Sequence, residues 1–311
     1  MKAIVIEQYG GKEQLKEKEM DQPIPGDNQV IVKLHATSIN PIDWKLREGY
    51  LKAMMPFEFP IILGWDAAGV IEAVGNKVDQ FKIGDRVFAR PDTTNRGTYA
   101  EFTTVDAHLL AKIPDNISFD EAACVPLAGL TAWQCLFDFG EVKKGDKVLI
   151  HAGAGGVGTF AIQFAKNAGA YVATTGGTSN VEFLKSLGAD EVIDYKKENF
   201  ESILTNFDFV LDSLGGEIQE KSFFILKEGG KLVSIVSEPN QQKAKEKGIK
   251  AGIVWLVPNG EQLAHIGGLL ERDKAKVIIG HKYPLTETAI REAHALSETH
   301  HAKGKIVIQI Q

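Results

Sequence analysis

Gly153, Gly155 and Gly158 stand at G-x-G-x-x-G spacing inside the stretch Gly145–Lys166. Val148, Leu149 and Ile150 before them read as a buried strand, and Phe160–Ala168 after them as an amphipathic helix. Glycine lets a backbone turn this sharply and lie close against a pyrophosphate, whose charge the following helix N-terminus stabilises. No Lys-Ser/Thr pair follows the last glycine, so a nucleoside-triphosphate loop is disfavoured and a nicotinamide dinucleotide fits better. The residues expected to touch it are Gly153, Ala154, Gly155, Gly156, Val157 and Gly158. The plain alternative is a tight strand-to-helix turn that binds nothing.

Other chemistries find less support. The 311 residues carry a formal charge of −6, which gives no electrostatic footprint for nucleic acid or an anionic membrane. The basic run Lys243–Lys250 is broken by Glu246 and holds no aromatic, so it reads as a solvated helix or loop. Cys124 and Cys135 are the only cysteines and lack a C-x-x-C partner, which argues against a disulfide framework or a structural zinc cluster. The histidines are scattered apart from His300-His301, read as a surface pair, so no metal site is expected. Residues 148–165 run without Asp, Glu, Lys or Arg, yet they hold four glycines, and the dinucleotide reading accounts for them better than a membrane span. Glu7 arrives too early for a secretory apolar core. A cytoplasmic protein is expected.

The elements that must position such a site change rhythm along the chain. Up to about residue 120, strands are expected at Ala3–Ile6, Gln29–Thr37, Gly69–Val74, Arg86–Ala89 and Tyr99–Val105. Turn signals separate them, and an irregular segment, Ser38–Met55, is available as a pocket wall. Beyond Cys124, strands at Val148–His151, Tyr171–Thr175, Glu191–Asp194, Asp208–Asp212 and Lys231–Val236 alternate with helices. That alternation implies an α/β fold with a doubly wound parallel sheet. Ile253–Val257 is a candidate sixth strand and Glu261–Arg272 a further helix. Val277–Ile279, a helix near Glu287–Glu298 and a last strand Lys305–Ile310 would return to the first domain. The expected division is residues 1–123 with 274–311 as a β-rich domain, and 124–273 as the dinucleotide-binding domain.

Five segments carry a resemblance over essentially the whole chain: Asn40–Gly49, Gly64–Gly75, Gly129–Leu136, the glycine segment with Gln163 and Lys166, and Phe183–Tyr195. The chain resembles the zinc-independent quinone oxidoreductases of the medium-chain dehydrogenase/reductase superfamily. The resemblance implies a GroES-like substrate domain beside a Rossmann-type cofactor domain. Where zinc alcohol dehydrogenases carry G-H-E, this chain has Gly64-Trp65-Asp66, and where they place a ligand cysteine it has Asn40. It also implies that Thr131, Ser213 and Ser237 lie near the nicotinamide and ribose, and that Tyr195 contacts a 2′-phosphate.

The second strand of the cofactor domain ends Thr174-Thr175-Gly176-Gly177-Thr178-Ser179-Asn180 with no carboxylate to bind a ribose 2′-hydroxyl, which favours NADPH over NADH. Thr175, Gly176 and Ser179 join the candidate contacts; the family often supplies a lysine or arginine here, where this chain offers Ser179. Without a metal, hydride transfer to an electron-poor quinone or α,β-unsaturated carbonyl is easier than alcohol dehydrogenation. Asn40, Asp43 and Arg47 are the candidates for shaping the acceptor pocket by their place in the matching segment, and Tyr50, just beyond it, is a candidate donor or wall of that pocket. For each a second reading stands: Asn40 as a turn cap, Asp43 with Arg47 as an i,i+4 pair, and Tyr50 as packing. Trp44 and Trp65 offer a flat apolar wall, or core. The expectation is an NADPH-dependent, zinc-independent reductase of quinones or enones, acting as a homodimer through the apolar segment 253–257. The alternatives are a specialised enoyl or enone reductase and a non-catalytic NADPH-binding redox sensor or structural protein of the same fold.

Overall fold

The computed structural model describes residues 1–311. The chain forms two compact units: residues 1–130, 258–273 and 277–311 make the first, residues 131–257 and 274–276 the second. The expected boundaries at 124 and 273 therefore move. Helix Gly260–Glu271, assigned by sequence to the cofactor domain, belongs to the first unit. It buries Leu263, Ile266 and Leu270, and Gly260 lies so close to the strand region of the first unit that a Cβ there would meet the His108 carbonyl at 2.4 Å.

The second unit holds six parallel strands. Across the sheet they run Glu191–Asp194, Tyr171–Gly176, Lys147–Ile150, Phe207–Asp212, Leu226–Ser234 and Lys250–Ile253. In chain order this is 3-2-1-4-5-6, the doubly wound arrangement, whose winding reverses between the first and fourth strands. Val148, Leu149 and Ile150 of the central strand are wholly buried, as a strand covered on both faces requires. The sixth strand ends where sequence placed its start. Its neighbour stops at Ser234, and the last bond between them runs from the Val254 amide to the Ser234 carbonyl, 2.9 Å. Beyond it Trp255 and Val257 are 51% and 65% exposed.

In the first unit, strand Gln29–Ile39 is central to a seven-stranded sheet. It pairs antiparallel with Ala67–Val74, Phe102–Asp106 and the C-terminal strand Lys305–Gln309. The tail thus returns to the first unit as expected, although its preceding strand is Ile279–Pro284 rather than Val277–Ile279. A separate three-stranded sheet joins Lys16–Glu19, Lys2–Ile6 and Ile61–Ile62. The segment read as irregular contains a two-turn helix, Pro41–Arg47, started by Pro41 at its first position. Seven residues are too few to show a helical period in the sequence. Helix Pro41–Arg47 and strand Lys305–Gln309 bring the first unit's buried polar residues together. No helix of the chain is long and apolar enough to cross a membrane.

Candidate functional site

The glycine loop follows the central strand of the second unit, at the carboxyl edge of the sheet beside the reversal of winding. Ala152 adopts φ 50°, which starts the turn, and the helix Gly156–Asn167 begins with Gly155 as its N-cap. The three glycines differ in what surrounds them. A Cβ on Gly153 would meet Thr174 Oγ1 at 2.1 Å, and one on Gly158 would meet the Ala152 carbonyl at 2.5 Å and Gly153 Cα at 2.7 Å. Those two permit close packing of turn, strand and helix. Around Gly155 only the Ala152 carbonyl comes near, at 3.4 Å, so its open face is free for a ligand. The Thr159 amide bonds to Gly155 O at 3.0 Å, which leaves the amides of Gly156, Val157 and Gly158 as the unspent donors of the helix start. Such a bare, donor-rich turn fits a pyrophosphate.

His151, read as structural, anchors this loop. Its ring is buried and stays neutral, burial lowering its pKa to about 4. Thr175 Oγ1 lies 3.2 Å from Nδ1 and Ser222 Oγ 2.9 Å from Nε2. Ser222 gives its own proton to the Ile218 carbonyl, so Nε2 carries the ring proton and Thr175 donates to Nδ1. Thr175 in turn accepts the Ala152 amide at 3.1 Å, fixing the residue of positive φ. Ser213 lies just past the end of the fourth strand, its hydroxyl bonding the His151 carbonyl, and Ser237 lies beyond the end of the fifth. Gln219 ties Ser237 to Asp212. The loop, Thr175, Gly176, Ser213 and Ser237 therefore share one edge of the sheet. Thr131 is buried in helix Pro126–Trp133. Ala154, within the loop, is partly exposed.

At the outer end of this edge, Ser179 is exposed in the turn Thr178–Asn180. Tyr195 is 55% exposed, with its hydroxyl 3.2 Å from a Cβ placed on Gly177. Sequence reading found no carboxylate on the second strand, but the third strand supplies one nearby. Asp194 is buried and accepts the Thr178 hydroxyl at 2.7 Å and the Lys196 amide at 3.1 Å, while Lys197 lies 3.4 Å away. These donors, the Thr178 hydroxyl first, hold its carboxyl below the usual range.

In the first unit, Asn40 ends the central strand and caps Pro41–Arg47 by its backbone. The Asp43 carboxylate takes the Asn40 amide proton at 2.7 Å, and the Asn40 carbonyl takes that of Asp43 at 2.9 Å. The Asn40 side chain turns elsewhere: Nδ2 donates to Asp66 Oδ2 at 2.7 Å, and Oδ1 accepts from Lys305 Nζ at 2.5 Å. Lys305 also donates to the Ile39 carbonyl at 3.1 Å and lies 3.4 Å from Asp66. Asp66 further accepts the Ser38 hydroxyl at 2.5 Å and the Leu127 amide at 2.7 Å. Lys305 is 3% exposed and Asp66 wholly buried.

Asp43 and Arg47 do not pair with each other and do not line an open wall; both are fully buried. Arg47 bonds the Gly10 carbonyl and His294, and pairs with Glu48 and with Glu298 at 2.9 Å. The guanidinium only donates, so His294 accepts at Nδ1 and carries its proton on Nε2, 3.1 Å from the Tyr99 oxygen. Tyr99 gives its proton to Asp43 at 2.7 Å. Burial, then the neighbouring guanidinium, lowers the His294 pKa to about 3. Burial raises that of Asp43 to about 7 against the hydrogen bonds from Asn40 and Tyr99. Asp43 Oδ1 has no partner. Tyr50 is 70% exposed, edge-on to Trp44. Trp65, offered as a pocket wall, is wholly buried in the core.

Lys305, Tyr99 and His294 were not foreseen, since each reaches its partners from a distant part of the chain. Asp66 carried a signal: it is the lone charge in the apolar run Ile61–Ile71. No group of three or more His, Cys, Asp or Glu is arranged to hold a metal ion. Around Asn40 and Asp66 an ammonium already fills the place a cation would take, so the residues there do not fit zinc. Cys124 and Cys135 are free thiols, buried, with their pKa values raised by that burial.

Residues 26–115 match the alcohol dehydrogenase GroES-like domain, and residues 187–308 a model described as zinc-binding dehydrogenase. The chain is 36% identical to the chloroplast envelope quinone oxidoreductase homolog of Arabidopsis thaliana, over 99% of this chain and 98% of that protein. It is 36% identical to the chloroplastic NADPH-dependent alkenal/one oxidoreductase of the same plant, over 99% of this chain and 79% of that one. Among solved structures, the quinone oxidoreductase from Coxiella burnetii superposes with a TM-score of 0.93 at 38% identity, covering 100% of this chain and 99% of its own. The chain belongs to the quinone oxidoreductase family of the medium-chain dehydrogenase/reductase superfamily.

Proposed function

We propose that the protein is an NADPH-dependent oxidoreductase that reduces quinones or α,β-unsaturated carbonyl compounds without a metal. The observation that carries this reading is the open face of Gly155 amid two glycines that only packing explains. A turn that merely joined strand to helix would need Gly153 and Gly158 but could carry a side chain at 155. When bound, NADPH supplies a hydride to the electron-poor carbon of the acceptor. The amides of Gly156, Val157 and Gly158 hold its pyrophosphate. Ser179 and Tyr195 serve its 2′-phosphate, with Lys197 offsetting the Asp194 charge. Thr131, Ser213 and Ser237 lie toward the nicotinamide ribose. The NADPH dependence of the alkenal/one oxidoreductase and the quinone oxidoreductase names of the other two relatives support the choice of cofactor and acceptor.

On the acceptor side, Asn40 presents an amide donor to the oxygen that gains negative charge. Asp43 and Arg47 act from beneath it, holding the helix and its cap, and Tyr50 forms an exposed wall. Water supplies the final proton. The edge strand Lys250–Ile253, continued by exposed Trp255 and Val257, pairs with a second copy to form a homodimer. The free, buried thiols accord with a reducing compartment such as the cytoplasm.

The test is NADPH oxidation measured against ortho- and para-quinones and short enones, with NADH as control. Turnover with either acceptor class and a preference for NADPH are expected. Tight NADPH binding with no turnover would turn the assignment to a redox sensor. Light scattering during size exclusion should give twice the 34.0 kDa chain mass.

A further inference from the structure

Asn40, Asp66 and Lys305 form a closed set of charge-assisted hydrogen bonds. An ammonium only donates and an ionised carboxylate only accepts, so the two charges fix which end of the Asn40 amide faces which partner. The three protons of Lys305 go to the Ile39 carbonyl, Asn40 Oδ1 and Asp66 Oδ2, and the Ser38 hydroxyl goes to Asp66. The second Nδ2 proton of Asn40 is the one donor in the set left unspent.

We infer that Lys305 is a positioning residue that polarises the Asn40 amide, making its spare N–H a stronger donor to the oxyanion formed on the reduced acceptor. The inference rests on the functional reading above. An ammonium 2.5 Å from the amide oxygen draws electron density from the nitrogen, and in a buried setting that effect is poorly screened. The chemistry it assists is balanced within the proposed reaction. A C–H bond forms as the hydride arrives, the π electrons move onto the acceptor oxygen, and water later delivers the proton. An enone yields an enolate whose charge is shared by one oxygen and one carbon, whereas a quinone yields a hydroquinone anion spread over an aromatic ring. The enolate gains more from a strong donor, so Lys305 favours enone reduction selectively.

The experiment compares Lys305→Met and Lys305→Arg with the wild-type protein, each alone and with Asp66→Asn to remove the stranded carboxylate. kcat is measured for a short enone and a quinone, alongside the thermal midpoint and the side-chain amide NMR shift of Asn40 in asparagine-labelled protein. Loss of a whole preorganised donor costs on the order of 100-fold in kcat, and Lys305→Met weakens the Asn40 donor without removing it. Lys305→Met should therefore lower enone turnover by roughly 10-fold and quinone turnover by less than about 3-fold. The amide shift should move in Lys305→Met and stay in Lys305→Arg. Asp66→Asn should restore the midpoint of Lys305→Met without restoring its enone rate. Equal losses for both acceptors, or full recovery of both rates in the double variant, would reduce Lys305 to a structural role and overturn the inference. A wild-type protein that reduces neither acceptor would instead overturn the functional reading, and this inference with it.

Discussion

The Tyr99 hydroxyl donates to Asp43 Oδ2 at 2.7 Å while its oxygen faces His294 Nε2 at 3.1 Å, and all three side chains are cut off from solvent. Tyrosine serves here as donor and acceptor at once, which phenylalanine cannot do. Tyr99→Phe strands the imidazole N–H and weakens the carboxylate's solvation, each at about 1–3 kcal/mol. A loss of roughly 2–6 kcal/mol is therefore expected in urea unfolding, with no new cavity to add to it. A loss under about 1 kcal/mol would mean that water replaces the hydroxyl.

The same cluster gives stability a pH dependence of two opposite signs. Asp43 titrates near 3.8 in the unfolded chain and near 7 in the fold. Between those values only the fold keeps the proton, so stability contributed below pH 4 is lost as pH rises through 7. The change is on the order of 4 kcal/mol. His294 runs the other way: from 6.5 down to about 3 only the unfolded chain gains a proton, so stability falls as pH falls. Asp43→Asn removes the first slope alone. The wild-type unfolding free energy minus that of Asp43→Asn should therefore fall between pH 4 and pH 8. A difference flat across that range would show that Asp43 ionises as an ordinary carboxylate.

The parallel sheet and glycine turn were legible because their signals are local: apolar runs such as Val148–Ile150, three spaced glycines, and a helix directly after them. The C-terminal return was legible from Lys305–Ile310 as an apolar strand after a helix. The acceptor side was harder to read. Asn40, Asp43 and Arg47 could be singled out only by their place in one segment, and their partners Asp66, Tyr99, His294 and Lys305 come from remote positions. No period of 2 or 3.6 encodes such a cluster; tertiary packing alone assembles it. Helix Gly260–Glu271 was recognised but assigned to the wrong neighbour, because amphipathicity tells that a face is buried and not against what.

Gly155 and Gly158 separate ligand binding from folding. Gly155 has φ −78°, a conformation open to any residue, and nothing but one carbonyl within reach of a new Cβ. Gly155→Val should therefore fold, losing about 1 kcal/mol from the helix N-cap, while NADPH affinity drops at least roughly 100-fold, about 2.7 kcal/mol. Gly158→Val drives a side chain into the Ala152 carbonyl and the Gly153 backbone and should destabilise the protein by about 2 kcal/mol or more. Isothermal titration and thermal melts on the pair make the comparison. Unchanged NADPH affinity in Gly155→Val would remove the pyrophosphate from this turn.

Ser179 tests the discrimination between cofactors. It is exposed on the turn Thr178–Asn180, whose Thr178 hydroxyl is committed to Asp194. The Asp194 charge is balanced by the Lys196 amide and by Lys197, so the turn is left without a free anion to repel a phosphate. Ser179→Glu introduces one. At about 4 Å and an effective dielectric near 20, two unit charges repel by about 4 kcal/mol before salt screening, and solvent exposure here leaves about a third of that. KM for NADPH should rise by roughly 10-fold, and more at low salt than at high salt. NADH lacks the phosphate, so its KM should hold. If both cofactors weaken equally, the 2′-phosphate does not lie at this turn, and the preference for NADPH must be written elsewhere on the sheet edge.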